Sequence, residues 1–321
     1  MDKPLVSISC IAYNHESYIR QCLDGFLMQK TTFSFEILIH DDASTDNTTD
    51  IIREYERKYP DIIKPIYQKE NQYSKGIPIS ATFNWPRAKG KYIAMCEGDD
   101  YWIDPLKLQK QVDFLEKHSD FVLSHTDCNI LYQNTGEIVY KGNSSYTNLC
   151  PSNVFERILN SDYLIRTASV LVRTEAWKKI YNSDPLVFGS NNFKMGDTPL
   201  SLELSRLGNF YYFPEVMVVY RVAKGGACRP RSVKEYYRFQ LSIYELRLYY
   251  IDKYDVKDKV LCTKIQNLYM KNLFRYRCFD SRYKSMDFIN TSFLSGNVLR
   301  HNVLMFLFFR VLLTIHYKMN L

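Results

Sequence analysis

Three strand-length runs, residues 6–12, 35–40 and 91–96, are apolar almost throughout, and each stops at a polar cluster. The first runs into Tyr13 and Asn14, the second into Asp41 and Asp42, and the third into Glu97, Gly98, Asp99 and Asp100. A strand that is apolar on both faces has to be covered on both faces. That condition is met in a parallel sheet with helices on either side. The segments between the runs supply those helices. Ile19, Cys22, Leu23, Phe26 and Leu27 fall at helical spacing after the first run. Ile51, Ile52, Tyr55 and Tyr59 do so after the second, and Pro60 stops that helix.

The pattern continues along the chain. Residues 62–67 read as a strand in which Pro65 demands an edge position or a bend. A short helix is expected over 80–88. Asp104 followed by Pro105 marks a helix start, because the carboxylate caps free N–H groups and proline fits the first turn; Leu108, Val112 and Leu115 form its apolar stripe. Strands are expected at 121–124 and 168–172, a helix at 197–207, extended chain at 210–220, and helix from Val233 onward. The expectation is an α/β fold with a mostly parallel sheet flanked by helices, carrying a mainly helical C-terminal extension. The division falls between 1–222 and 223–321. A chain of 321 residues with 46% hydrophobic content holds enough apolar mass for this and is not a disordered one.

Charge is unevenly placed within a formal total of +7. Residues 224–321 carry 18 Lys and Arg against 7 Asp and Glu, leaving the first 223 residues net acidic. A basic, tyrosine-rich end makes an anionic membrane surface a candidate partner, or else is simply a solvated surface. Its aromatics follow helical core spacing, so nucleic acid is not expected as a partner. The eight cysteines show no CxxC or Cys/His spacing and read as reduced core residues of a cytoplasmic protein. No signal-peptide profile precedes the first strand. The apolar stretch 303–315, interrupted by Arg310, is shorter than the roughly 20 residues that span a bilayer and fits an interfacial or core helix.

In open α/β sheets ligands bind beyond the carboxyl ends of the strands, which is where the three polar clusters fall. Neither GxGxxG nor GxxxxGK[ST] occurs, so a phosphorylated ligand needs another holding device. Acidic side chains on a tight turn provide one. Their oxygens bind a hard divalent cation that bridges to a diphosphate, and Gly98 permits close backbone approach. For Asp41 and Asp42 a turn or cap competes with a contact to base or ribose. For Tyr13, core packing competes with base stacking.

The stretches 6–14, 36–46 and 90–102 together resemble glycosyltransferase family 2, and the likeness covers roughly residues 4–222. The resemblance implies a GT-A fold and a nucleotide-sugar donor, bound by Ala12, Tyr13, Asn14, Asp41, Asp42, Glu97, Asp99 and Arg221. It implies that Asp99 and Asp100, the end of a DXD-like motif, hold Mn²⁺ or Mg²⁺, with Glu97 where aspartate is more usual. It implies that Asp197 in Gly196-Asp197-Thr198-Pro199 is the catalytic base, against a plain helix N-cap. Many members carry a second acid where Gly196 stands. Arg221, followed by Lys224-Gly225-Gly226, matches a mobile segment near the diphosphate, where a cation offsets leaving-group charge.

The implied reaction is inverting transfer of a sugar, with a UDP-sugar as the expected donor, to a glycan or lipid-linked hydroxyl, as in cell-surface polysaccharide synthesis. The enzyme would be cytoplasmic, with its C-terminal region at the cytoplasmic face of a membrane. A metal-dependent nucleotidyltransferase shares the acidic strand ends but needs a basic Gly-rich loop that residues 13–20 lack. A non-catalytic nucleotide-sugar-binding or scaffold protein predicts binding without transfer.

Overall fold

A computed structural model of the chain describes residues 3–143, 149–181, 183–188, 193, 196–223 and 232–278. Its N-terminal elements alternate as β1 (Val6–Ala12), α1 (Ile19–Leu27), β2 (Phe35–Asp41), α2 (Thr48–Lys58) and β3 (Ile63–Tyr67). The expected short helix is a π-helical turn, Ser80–Asn84, running into a 3-10 turn, Trp85–Arg87, before β4 (Tyr92–Glu97). Then come β5 (Tyr101–Trp102), α3 (Lys107–Lys117), β6 (Phe121–Tyr132) and β7 (Glu137–Val139). The last elements of this part are α4 (Val154–Asn160), β8 (Leu171–Arg173), α5 (Thr174–Tyr181), α6 (Pro185–Phe188), α7 (Asp197–Leu204) and β9 (Asn209–Val222).

The strands lie in the order β3-β2-β1-β4-β8-β6-β9-β5, with β7 paired to β6. β1 runs parallel to β2 on one side and to β4 on the other, so Ile11 stands beside both His40 and Glu97. Its side chains are buried on both faces, Ser7 and Ser9 among them. β3 pairs only with β2 and ends the sheet, which is where Pro65 costs no ladder bond. Past β4 the direction changes. β8 is antiparallel to β4 and β6, whereas β6 and β9 run parallel along most of their length.

The strand expected at 168–172 is shortened by a 3-10 turn at Thr167–Ser169. Side chains take the carbonyls that a ladder would have used. Ser169 Oγ donates to the Arg166 carbonyl, Trp102 Nε1 to that of Ala168, and Gln111 Nε2 to that of Ser169. Asp104 acts one turn ahead of α3, its carboxylate accepting from the Leu106 N–H at 2.8 Å. At the amino ends of the strands, Glu36 accepts from Ser7 Oγ at 2.7 Å and from the Lys89 N–H at 2.8 Å. A Cβ on Gly90 would stand 2.5 Å from the Ser7 nitrogen, so only glycine lets β4 enter there.

The described residues fall into two compact units. The first holds the whole sheet with its helices; the second holds α8 (Val233–Lys253), α9 (Lys259–Cys278) and Phe193. Ser232 caps α8 by accepting from the Glu235 N–H, and Leu241, Leu246, Leu248, Tyr250 and Ile251 form its buried side. No described helix is long and apolar enough to cross a membrane. Cys10, Cys22, Cys96 and Cys128 are free and buried, but Cys150 stands on the surface. The 224–226 segment, the 303–315 stretch and the side chains of Cys228 and Cys278 lie outside the described residues.

One core group is unusual. Lys107 has no exposed surface; its Nζ donates to Gln111 Oε1 at 2.8 Å and lies 4.1 Å from the centre of the Trp102 ring. Burial pushes this ammonium down to about 7, with Cys96 and Asp104 opposing. Between that value and the ordinary lysine value of about 10.4, the unfolded chain binds a proton that the folded chain does not. Stability therefore rises with pH across this window, by up to about 1.4 kcal/mol per unit. Urea unfolding of the wild type and Lys107→Met between about pH 7 and pH 9 should show this slope only in the wild type. Parallel pH profiles would mean that Lys107 is charged in the fold.

Candidate active site

In the order β3-β2-β1-β4 the chain winds one way from β1 to β2 and β3, then returns to the other side of β1. The carboxyl ends of β1 and β4 thus flank the switch point at which open sheets form a crevice. The turn after β4 is fixed there by backbone bonds. The Gly98 N–H donates to the Ile11 carbonyl at 2.8 Å, and that of Asp100 to the Glu97 carbonyl at 3.0 Å. A Cβ on Gly98 would meet His15 Nδ1 at 2.8 Å and the Ile11 carbonyl oxygen at 3.2 Å.

Glu97, Asp99 and Asp100 each bring an oxygen within 4.8 Å of the others. Asp100 is buried; burial first, then Asp99 and Glu97, push its carboxyl well above the usual range. Glu97 reaches solvent, yet the protein around it still penalises its charge. Burial, Asp99 and Asp197 together push it up to about 7. Among the described residues no side chain or backbone group hydrogen-bonds the Glu97 or Asp99 carboxylates. An all-oxygen, mutually repelling and partly unpartnered set fits a hard divalent cation.

Arg221 braces this turn from β9. Its N–H donates to the Asp100 carboxylate at 2.7 Å and its Nε to the Asp99 carbonyl at 2.7 Å. Nη2 reaches Gln21 Oε1 at 2.7 Å and Nη1 reaches Gln133 Oε1, while the guanidinium faces the rings of Tyr18 and Tyr101. With these bonds Arg221 acts as a strut for the acidic turn.

The loops after β1 and β2 are tied together. The Asp42 N–H donates to the Ala12 carbonyl, and Asn14, at φ 54°, accepts from the Thr45 N–H at 2.8 Å. Asp41 receives the Ser44 N–H and hydroxyl on one carboxylate oxygen and the Thr49 hydroxyl on the other, so it shapes the loop. Asp42 is buried and accepts the Gln72 and Tyr73 N–H groups at 2.8 and 3.0 Å, ordering the chain after β3. Tyr13 is 43% exposed, which removes core packing as its role and leaves its ring face available.

Asp197 opens α7, its carboxylate accepting from the Thr198 N–H at 2.7 Å. Like Glu97 it reaches solvent. Burial raises it above the ordinary carboxylate range, while the Thr198 and Arg166 contributions pull it back. Its charge adds, after burial and Asp99, to what raises Glu97. Arg166 and His15 were not legible beforehand. Each is a single residue with no spacing pattern, brought in by the 3-10 turn before β8 and by the loop after β1. Burial lowers His15, and its Nδ1 is buried without a partner.

Residues 7–158 match the family profile described as glycosyl transferase family 2. An uncharacterized protein of Mycobacterium tuberculosis is 35% identical over 218 residues, covering 67% of this chain and 58% of its own length. The Escherichia coli UDP-Glc:alpha-D-GlcNAc-diphosphoundecaprenol beta-1,3-glucosyltransferase WfaP is 34% identical over 158 residues, 47% of this chain and 59% of that protein. The chain thus spans less than two thirds of the length of these relatives. Among solved structures, S. aureus TarS 1-349 in complex with UDP-GlcNAc superposes with a TM-score of 0.60 at 18% identity, covering 86% of this chain and 73% of that one. The mannosyltransferase PcManGT of Pyrobaculum calidifontis, in complex with GDP-Man and Mn²⁺, gives 0.56 at 14% identity over 88% and 77%. At such identities the likeness is one of fold. The crevice at the switch point, the profile match and these relatives lead to one assignment: residues 7–158 carry the glycosyl transferase family 2 match, and the chain has the GT-A fold.

Proposed function

We propose that the chain transfers a sugar, with inversion, from a nucleoside diphosphate donor to a hydroxyl of a glycan or lipid-linked acceptor in cell-surface polysaccharide synthesis. The observation that carries this reading is the pairing of two chemistries in one place: Glu97 and Asp99 carboxylates without hydrogen-bond partners among the described residues, and Asp197 within electrostatic reach of Glu97. The names of WfaP and of the TarS complex support a UDP-sugar as donor. We assign donor binding and catalysis to residues 1–222. The net charge of +11 on 224–321 supports contact of that region with the cytoplasmic face of a membrane.

Tyr13 would stack on the base, while Asp42 and Asn14 hold the loops that frame the nucleoside. Glu97, Asp99 and the remaining oxygen of Asp100 would hold Mn²⁺ or Mg²⁺. The bound ion would supply positive charge to the diphosphate as it leaves. Asp197 takes the proton of the acceptor hydroxyl as that oxygen bonds to the anomeric carbon. The bond from that carbon to the diphosphate oxygen breaks, and its electron pair leaves on phosphate. A carboxylate raised by burial, yet kept in check by Arg166 and the Thr198 N–H, is a stronger base than a free one.

Removing the base should cost about 10² to 10⁴ in kcat for Asp197→Asn, with nucleotide binding retained, as read by transfer from UDP-sugars in the presence of Mn²⁺ and by thermal shift with UDP. Unchanged turnover would remove Asp197 from this role. Because the raised carboxyls of Glu97 and Asp100 must ionise to hold the ion, Mn²⁺ affinity measured by calorimetry should climb as pH rises through about 7. Glu97→Gln should flatten that climb. A pH-independent affinity in the wild type would place Glu97 outside the ligand set.

A further inference from the structure

Resting on the reading of a phosphorylated donor or acceptor, we propose that Arg166, and not Arg221, is the guanidinium that meets phosphate oxygen in this site. Arg221 is only 7% exposed and has its Nε and both terminal nitrogens committed to Asp99, Gln133 and Gln21. A side chain so engaged cannot turn toward a ligand without unmaking the acidic turn.

Arg166 is less engaged. Its Nε is buried with no hydrogen-bond partner, and it makes no ion pair within 4.0 Å among the described residues. A desolvated guanidinium N–H left unpaired is unfavourable in the free protein and becomes favourable once an anionic oxygen accepts from it. Its placement is fixed in advance. The guanidinium lies 4.6 Å from the ring centre of Tyr220, meets the Cys128 thiol as a weak hydrogen-bond partner, and stands within electrostatic reach of Asp197. The backbone behind it is pinned, because its carbonyl accepts from the Ser169 N–H at 2.9 Å and hydroxyl at 2.7 Å. The Ala168 carbonyl accepts from Trp102 Nε1 at 2.9 Å, which joins the turn to the strand that follows Asp100. Adjacent residues of β9 therefore serve two arginines: Tyr220 supports one that faces the site, and Arg221 is the one that holds the site up.

The shared chemistry is a phosphate oxygen, carried either by the donor diphosphate or by a phosphorylated acceptor. The test is calorimetry on the full chain with UDP and Mn²⁺, with uridine alone, and with an alkyl glycosyl diphosphate against the matching alkyl glycoside. Arg166→Gln should weaken one of the two phosphorylated probes by about tenfold to a hundredfold and leave its unphosphorylated counterpart unchanged. Loss of UDP assigns the donor, and loss of the alkyl diphosphate assigns the acceptor. Arg166→Lys, which keeps charge without the planar fork, should fall between. Thermal unfolding without ligand should show Arg166→Gln as stable as the wild type and Arg221→Gln clearly weakened. If Arg166→Gln binds both probes like the wild type, or loses stability as Arg221→Gln does, Arg166 is a structural residue and the inference fails while the transferase reading stands. If the wild type binds neither phosphorylated probe, both readings fall.

Discussion

Charge repulsion at the end of β4 is the constraint around which the rest of the site is arranged. Full charges about 4.8 Å apart repel by roughly 3 kcal/mol at an effective dielectric of about 20, and three carboxylates gather here with Asp197 close by. The fold answers in two ways. The Arg221 N–H pairs with the buried Asp100, and the Arg221 side chain clamps the backbone of Asp99. What remains unbalanced shows as the raised proton affinity of Glu97. A site held in this state releases repulsion when a cation enters, so part of the binding energy is already stored in the geometry.

Most of the frame was readable from the chain because the frame is local. Largely apolar runs imposed the parallel half of the sheet, Pro65 put β3 at the edge, and the polar strand ends pointed to the crevice. The roles of individual side chains were not readable, because they depend on contacts distant in sequence. Arg221 meets Asp100 across 121 positions and Gln21 across 200. Nothing in Tyr220-Arg221-Val222 distinguishes a strut from a ligand contact. Asp41 and Asp42 look equivalent as text, yet strand alternation turns one into its own loop and the other toward the segment after β3. Arg166 had no local mark at all, since the 3-10 turn that presents it replaced part of an expected strand.

That replacement follows from a buried polar network. Gln111 on α3 donates to the carbonyls of Ser124 and Ser169 and accepts from Lys107, whose Nζ lies over the Trp102 ring. Trp102 in turn donates to Ala168 and packs edge-on against Phe26. Such a network costs stability relative to an apolar core of the same shape, as the lowered proton affinity of Lys107 records. In return it defines one geometry, because every shift of α3 against the Thr167–Ser169 turn would leave a buried donor or acceptor unmatched. The acidic turn and the Arg166 turn are joined through this layer and not through the loops facing solvent. Their separation is then set by core packing, which tolerates displacements far smaller than a surface loop does. A ligand that meets both turns gains from having both supports rooted in one rigid stratum.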